Sequence, residues 1–180
     1  MKLKKIAMTV LAAAGFVTVA SGTALADTAT NVSGDGYPYP VLHQGAQSEN
    51  VRTLQWLLNC HGFKVGVPSH FGPATFQQVH AYQVKYGLMP FDGNVGAHTW
   101  TSILANSQVR YDDRNDCVKG FQVALNKFRH VDHVSDLPIT GYFGPKTRAA
   151  YRAFLHNPGE PGTVATPHAW HLLIESIPDA

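Results

Sequence analysis

An internal repeat limits the folds open to this chain more than any other feature of its sequence. The segment that starts at Glu49 aligns without gaps with the segment that starts at Asp116, and several residues are identical in both copies. The identical pairs are Val51 and Val118, Gln55 and Gln122, Leu58 and Leu125, and Asn59 and Asn126. Further along, Phe-Gly-Pro occurs at 71–73 and at 143–145, and tryptophan followed by aliphatic residues occurs at 100 and 170. Three landmarks in the same order predict two copies of one structural unit.

Each copy is predicted to contain three helices. The first is amphipathic, because Val51, Leu54 and Leu58 recur at the spacing of one helical face. The Gly-Pro pairs at 72–73 and 144–145 mark the start of the second helix, where a proline removes no hydrogen bond. The third helix carries a tryptophan that we expect in the core. The predicted fold class is therefore all-α, with two tandem three-helix bundles.

The first 26 residues have the three parts of a secretory signal peptide. Lysines precede an apolar run from Ile6 to Ala20, and the small-residue triplet Ala-Leu-Ala ends at Ala26. The run is shorter than the roughly 20 residues that a membrane-spanning helix needs, although a retained membrane anchor is the alternative. We expect cleavage after residues 1–26, a flexible polar segment over 27–38, and no membrane partner after cleavage.

The repeat also sets the predicted domain boundaries. The first domain spans residues 39–105, the second spans residues 117–180, and residues 106–116 link them. A link this short and polar predicts neighbours that are packed together or closely tethered.

Charge excludes two classes of partner. The chain has 14 basic and 12 acidic residues, and three of the basic residues lie in the predicted signal peptide. Cleavage would therefore leave a net charge of about −1 at neutral pH. A protein without clustered lysine and arginine has no general electrostatic attraction to nucleic acid or anionic lipid.

The two cysteines, Cys60 and Cys117, allow only one pairing. Disulfides persist in the oxidising environment outside the cell, so export favours a bridge between them. The alternative is two separately buried thiols, which behave as small apolar side chains.

Ordered submotifs in the first copy resemble the peptidoglycan-binding-like domain family. These submotifs are Val51-x-x-Leu54-Gln55-x-x-Leu58, Phe71-Gly72-x-x-Thr75, Val79-x-x-Tyr82-Gln83, Asp92-Gly93-x-Val95-Gly96 and Thr99-Trp100. The resemblance implies a noncatalytic three-helix module that holds proteins on peptidoglycan through its glycan or stem peptide. The second copy is divergent: it lacks the Asp-Gly turn, and an insertion at 130–140 lengthens the connection between its first two helices. If the family's ligand surface uses that turn, the second copy serves as a scaffold.

Polar residues around the Asp-Gly turn are candidates for ligand binding. Aromatic walls combined with a few polar groups are typical of small-ligand sites. The candidates are Tyr82, Gln83, Tyr86, Asp92, Asn94 and His98. The alternative is that Asp92 and Gly93 only form a tight turn.

No pattern in the sequence indicates an enzyme, a metal site or a cofactor. Two histidine pairs, at 130 and 133 and at 168 and 171, lack the third ligand that a catalytic zinc site requires. Cys60 and His61 are adjacent in sequence, which is not the spatial arrangement of a thiolate and its base. The acidic residues Asp112, Asp113 and Asp116 lie in the predicted link. A solvated charge cluster, or a helix N-cap at Asp116, accounts for them without catalysis. Two repeats leave no room for a catalytic domain.

The sequence therefore predicts a secreted, noncatalytic cell-wall binding protein that is extracellular or associated with the wall. Its expected partner is peptidoglycan, with a wall-active enzyme as a further one. The alternative is a secreted protein-interaction factor that binds or regulates a wall enzyme or protease.

Overall fold

The computed structural model describes residues 39–131, 136–156 and 161–175. The predicted signal peptide and the segment 27–38 lie outside these ranges. The described elements are α1 (Glu49–Cys60), α2 (Pro73–Tyr86), α3 (Ala97–Ala105), β1 (Val109–Arg110), α4 (Asp116–Val131), α5 (Pro145–Leu155), β2 (Val164–Ala165) and α6 (Pro167–Glu175). The predicted helical character is confirmed, whereas the small antiparallel sheet of β1 and β2 was not expected.

Local sequence explains where the helices begin. Ser48 precedes α1, and its hydroxyl accepts a hydrogen bond from the Val51 amide at 3.2 Å. Asn115 precedes α4, and its side-chain oxygen accepts one from the Val118 amide at 2.9 Å. These caps satisfy amides that the first helical turn leaves without a partner. As predicted, α2 and α5 begin at prolines.

Part of the insertion predicted at 130–140 is helical. α4 has 16 residues, whereas α1 has 12, so the inserted residues first extend the helix to Val131. Residues 132–135 lie outside the described ranges, and Asp136 starts the next described stretch. The insertion therefore lengthens a helix as well as a connection.

The antiparallel packing of α1 on α4 joins the two halves of the chain. The end of α1 meets the start of α4 at a disulfide between Cys60 and Cys117, whose Cα atoms are 5.2 Å apart. At the other end, the Lys127 ammonium donates a buried hydrogen bond of 2.7 Å to the Asn50 side chain. The predicted bridge is therefore present, and the alternative of two separate thiols is excluded.

The residues that join α1 to α4 at one end of the pair align in the repeat with the residues that join the helices at the other end. In the alignment that starts at Glu49 and Asp116, Asn50 corresponds to Cys117 and Cys60 corresponds to Lys127. The disulfide at one end and the hydrogen bond at the other therefore occupy corresponding positions. A covalent bond and a polar contact each close one end of the same antiparallel pair.

The tryptophans predicted in the core, Trp100 and Trp170, are both fully buried. The Trp100 indole N–H donates to the Pro40 carbonyl at 2.8 Å, and that of Trp170 donates to the Ser107 carbonyl at 2.9 Å. Tyr39 lies between α3 and α6: its ring stacks on Trp100, and its hydroxyl lies 2.6 Å from Nδ1 of His171. The two halves therefore share one continuous hydrophobic core.

Replacing Gly120 of α4 with valine should destabilise the protein. A Cβ atom at this position would lie 3.1 Å from Cδ2 of Leu57 and 3.4 Å from the Thr53 carbonyl oxygen, so the methyl groups of valine would overlap α1. Overpacking of this kind costs about 1–3 kcal/mol, which urea denaturation would measure as a lower free energy of unfolding. Valine has a higher helix propensity than glycine, so propensity predicts no loss at position 120, and Ala81→Val at an exposed position of α2 measures the cost of a valine without helix packing. Equal losses in the two variants would show that close packing of α1 on α4 is not the cause.

Acid should destabilise the fold through His61. Burial, with a smaller contribution from Lys85, lowers the pKa of His61 below its ordinary value of 6.5. The unfolded chain therefore binds a proton more readily than the folded chain as pH falls below about 6.5, and stability is lost in that range. We expect His61→Gln to lessen the drop in the free energy of unfolding between about pH 7 and pH 5. The control is His80→Gln, which replaces an exposed histidine; an equal change in both variants would assign the effect elsewhere.

Candidate functional site

A buried glutamine organises the turn that contains most of the predicted ligand residues. Gln83 of α2 is 2% exposed. Its amide nitrogen donates to the Asn94 carbonyl at 2.7 Å and to the Thr99 hydroxyl at 3.1 Å, and its amide oxygen accepts from the Gly93 N–H at 2.9 Å. One side chain thus holds the turn and the first residues of α3 together.

The same arrangement occurs at two further glutamines, Gln55 and Gln122. Each donates to a loop carbonyl and to a threonine hydroxyl in the first turn of the next helix, and accepts from an amide whose residue has positive φ. The partners of Gln55 are His70, Thr75 and Ser69, and those of Gln122 are Tyr142, Thr147 and Gly141. These glutamines are structural clasps that place a loop before α2, α3 and α5.

Asp92 accepts a long hydrogen bond of 3.4 Å from the Gln83 amide, and its other hydrogen bonds lie within the turn. Its carboxylate accepts from the Asn94 backbone amide at 2.9 Å and from the Asn94 side chain at 3.2 Å. Gly93 has φ of 72°, and a Cβ atom there would overlap the Phe76 ring. Only glycine satisfies both conditions, so the Asp-Gly pair has the structural role of a tight turn.

The six predicted ligand residues divide into an inner and an outer set. Tyr82 is fully buried, its hydroxyl lies 3.1 Å from that of Ser102, and burial raises its pKa. Gln83 is buried as well. The outer set contains Asp92, Asn94 and His98 around the turn, together with Tyr86, which packs against Tyr82 at a centroid distance of 4.5 Å.

The depression beside the turn is small. It is lined by Gln83, Asp92, Asn94 and His98, among others, and its volume is about 10 Å³. That is room for one water molecule. Any ligand of this surface would lie across it and would contact the outer set.

Larger concavities occur in the second half, where sequence analysis placed no site. Three of them follow the stretch 136–147, with volumes of about 380, 400 and 310 Å³. The only signals in the sequence were the insertion and the replacement of His70 by Tyr142 and of Ala74 by Lys146 at aligned positions. Neither signal reveals a cavity without the fold.

Tyr142 separates two of these concavities. The Arg114 guanidinium lies 3.7 Å from the centroid of its ring, and its hydroxyl donates to the Asp112 carboxylate at 3.0 Å. The hydrogen bond to Asp112 is the main reason that the pKa of Tyr142 is raised. A Cβ atom at position 144 would overlap the Tyr142 ring. The absence of a side chain at Gly144 therefore leaves room for that ring.

The histidine pairs do not form a metal site in the described ranges. His130 has no described side chain and His133 lies outside those ranges, whereas His171 is buried against Tyr39 and Glu175. Across the part of the chain that the structure describes, no three histidine, cysteine, aspartate or glutamate side chains lie together as a metal site would require. Within residues 39–131, 136–156 and 161–175, every helix is too short or too polar to span a membrane.

Comparison with known proteins identifies the class of the first half. Residues 47–103 match the family model described as "Putative peptidoglycan binding domain". This range includes α1, α2 and most of α3, and it does not extend to the predicted second copy. The chain thus contains a peptidoglycan binding domain.

A curated relative extends the similarity to more of the chain. The "Uncharacterized protein in bpoA1 3'region" of Kitasatospora aureofaciens is 36% identical over 106 residues, which are 57% of this chain and 89% of the relative. This chain belongs to the same family as that relative. No solved structure matches this chain.

Replacing Gln83 with leucine should loosen the turn. The variant would leave the buried Gly93 amide and Asn94 carbonyl without their side-chain partner, which costs about 1–3 kcal/mol for a buried polar group. We expect a lower free energy of unfolding and faster hydrogen exchange of the Gly93 amide, measured by NMR. Gln77→Leu, at an exposed position of the same helix, is the matched control. Unchanged exchange at Gly93 would contradict the role of the clasp.

Proposed function

We propose that this protein is a secreted, noncatalytic cell-wall binding protein that attaches to peptidoglycan through its glycan or stem peptide. The observation that carries the proposal is the match of residues 47–103 to a peptidoglycan binding domain. A binding domain of this kind needs no catalytic group, so the proposal assigns the protein no reaction, metal or cofactor.

The second half is proposed to be a divergent copy of the first, with domains at 39–105 and 117–180 and a link at 106–116. Equivalent hydrogen bonds support this proposal. Besides the glutamine clasps, Asn59 exchanges two hydrogen bonds with the backbone of Val65, and Asn126 does the same with Leu137. Leu155 aligns with Gln83, so the second copy lacks the clasp that holds the Asp-Gly turn.

Export through a cleaved signal peptide at residues 1–26 fits the chemistry of the cysteines. The disulfide between Cys60 and Cys117 joins the two halves and would persist outside the cell, where thiol reductants are scarce. An extracellular or wall-associated location is therefore part of the proposal.

The surface around the Asp-Gly turn is proposed as one contact area for the wall. Tyr86, Asp92, Asn94 and His98 reach solvent and would contact the ligand. Tyr82 and Gln83 are buried and would hold that surface in place.

A second candidate function is binding or regulation of a wall enzyme or protease. It is favoured by exposed apolar side chains near the end of α2, because apolar surface is typical of protein contacts. The exposed fractions are 51% for Val84, 39% for Tyr86, 70% for Met89 and 40% for Phe91.

Co-sedimentation tests the proposed function. The chain from Asp27 onward, with its disulfide intact, should be retained by insoluble purified peptidoglycan and not by cellulose, and it should release no soluble muropeptides. His98→Ala should lower retention, whereas His80→Ala, at an exposed position on α2, should not. Absence of retention would refute wall binding and favour the protein-interaction function; release of muropeptides would refute the noncatalytic assignment.

A further inference from the structure

The three concavities of the second half form one groove. The concavities of about 380 and 400 Å³ share Leu137, Pro138 and Lys146, and those of about 380 and 310 Å³ share Thr140 and Tyr142. We call these three adjoining concavities the α4–α5 groove, because they lie along the connection between these helices. Volumes of this size are typical of small-ligand sites, whereas the depression at the Asp-Gly turn holds about 10 Å³.

The walls of the section of about 380 Å³ are mainly apolar, whereas polar and charged side chains such as Asn115 and Asp116 line the section of about 310 Å³. Leu137, which is buried, lines the apolar section together with Pro138 and Pro145, and the Tyr142 ring borders both sections. Such walls fit methyl groups and short aliphatic side chains. They offer few partners for the many hydroxyl groups of a neutral sugar.

Tyr142 is poorly arranged to stack on a sugar ring. The Arg114 guanidinium already covers one face at 3.7 Å, and the hydroxyl group is already hydrogen-bonded to Asp112. With one face and the hydroxyl group already occupied, the side chain offers a sugar only its other face, and together with the apolar section this favours a peptide over a glycan as the occupant.

Cations lie on both sides of Tyr142. Lys146 is exposed at the edge of the two larger sections and has no ion-pair partner among the described residues. Arg114 lines the smaller section, where the neighbouring Lys119 is already paired with Asp116 at 2.9 Å. Arg129 and Asp136 also line the section of about 400 Å³, and Asp116 lines the section of about 310 Å³, so cations outnumber carboxylates along the groove. A lining with this excess of positive charge complements carboxylates on an extended ligand.

We propose that the α4–α5 groove binds an acidic peptide with small apolar side chains, which in the wall is the stem peptide of peptidoglycan. Lys146 and Arg114 bind its carboxylates, and Leu137 and Pro138 contact its methyl groups. This inference rests on the proposed function and assigns the ligand to the divergent copy. Lys146 and Tyr142 replace Ala74 and His70 at aligned positions, so the first copy lacks this chemistry.

NMR titration of the full chain from Asp27 onward with the synthetic stem peptide N-acetyl-L-Ala-γ-D-Glu-L-Lys-D-Ala-D-Ala tests the groove. The acetyl group removes the charge of the N-terminal amine, so the carboxylates of this peptide outnumber its amine. Backbone amides within 137–147 should shift on titration. Lys146→Gln should weaken the peptide about threefold to fivefold, the effect of losing one partly exposed charge pair. A chitin tetrasaccharide should leave the same amides unchanged.

Ala74→Glu is the matched control for Lys146→Gln. Both variants lower the net charge by one unit at the second residue of aligned helices, and both positions are exposed. Only Lys146→Gln should weaken the peptide. Equal weakening in both variants would mean that net charge, not the groove, attracts the ligand, and the inference would fail.

The same titration separates failure of the groove from failure of the proposed function. If the chain sediments with peptidoglycan but the peptide shifts no amide in 137–147, the groove inference is wrong and wall binding stands. If the chain is not retained yet the peptide shifts those amides, the groove is an acidic-peptide site and wall binding is wrong. Shifts of the same amides by the tetrasaccharide alone would assign the groove to a glycan and overturn the inference.

Discussion

The close antiparallel contact of α1 with α4 is the constraint on which the rest of the structure depends. Gly120 lets α4 approach Leu57, the Cys60–Cys117 disulfide closes one end, and the buried Lys127–Asn50 hydrogen bond closes the other. A lysine this deeply buried costs free energy unless its charge is hydrogen-bonded. Because α1 packs on α4, Trp100 and Trp170 belong to one hydrophobic core that both halves of the chain share.

The glutamine clasps connect this core to the surfaces proposed to bind. Each clasp uses a buried side-chain amide that hydrogen-bonds to a loop carbonyl, a loop amide and a threonine hydroxyl. One residue thus fixes a loop that could otherwise adopt many conformations. The first half of the chain has two clasps, at Gln55 and Gln83, and the described part of the second half has one, at Gln122. Loss of the second clasp at Leu155 is consistent with loss of the Asp-Gly turn, and the insertion after α4 instead accompanies a groove.

Periodicity and landmarks predicted the helices well because those features act locally. The apolar face of α1, the prolines that start α2 and α5, and the buried tryptophans all follow from spacing along the chain. The candidate site was harder to predict. Polarity near a turn indicated Gln83 and Asp92, but polarity does not distinguish a hydrogen bond to the protein from one to a ligand. The groove was missed because its walls come from α4, the following connection and α5, and their approach is set by packing.

The sequence by itself determined the repeat, the helical content, the peptidoglycan-binding-like character of the first copy and the single pairing open to its two cysteines. These properties depend on residue type and short-range spacing. Only the tertiary structure decided that the cysteines are bridged, that Tyr82 and Gln83 face inward and that a groove lies beside Tyr142. The physical reason is that burial and cavity shape depend on distances between residues far apart in the chain, and those distances are fixed only when α1 packs on α4.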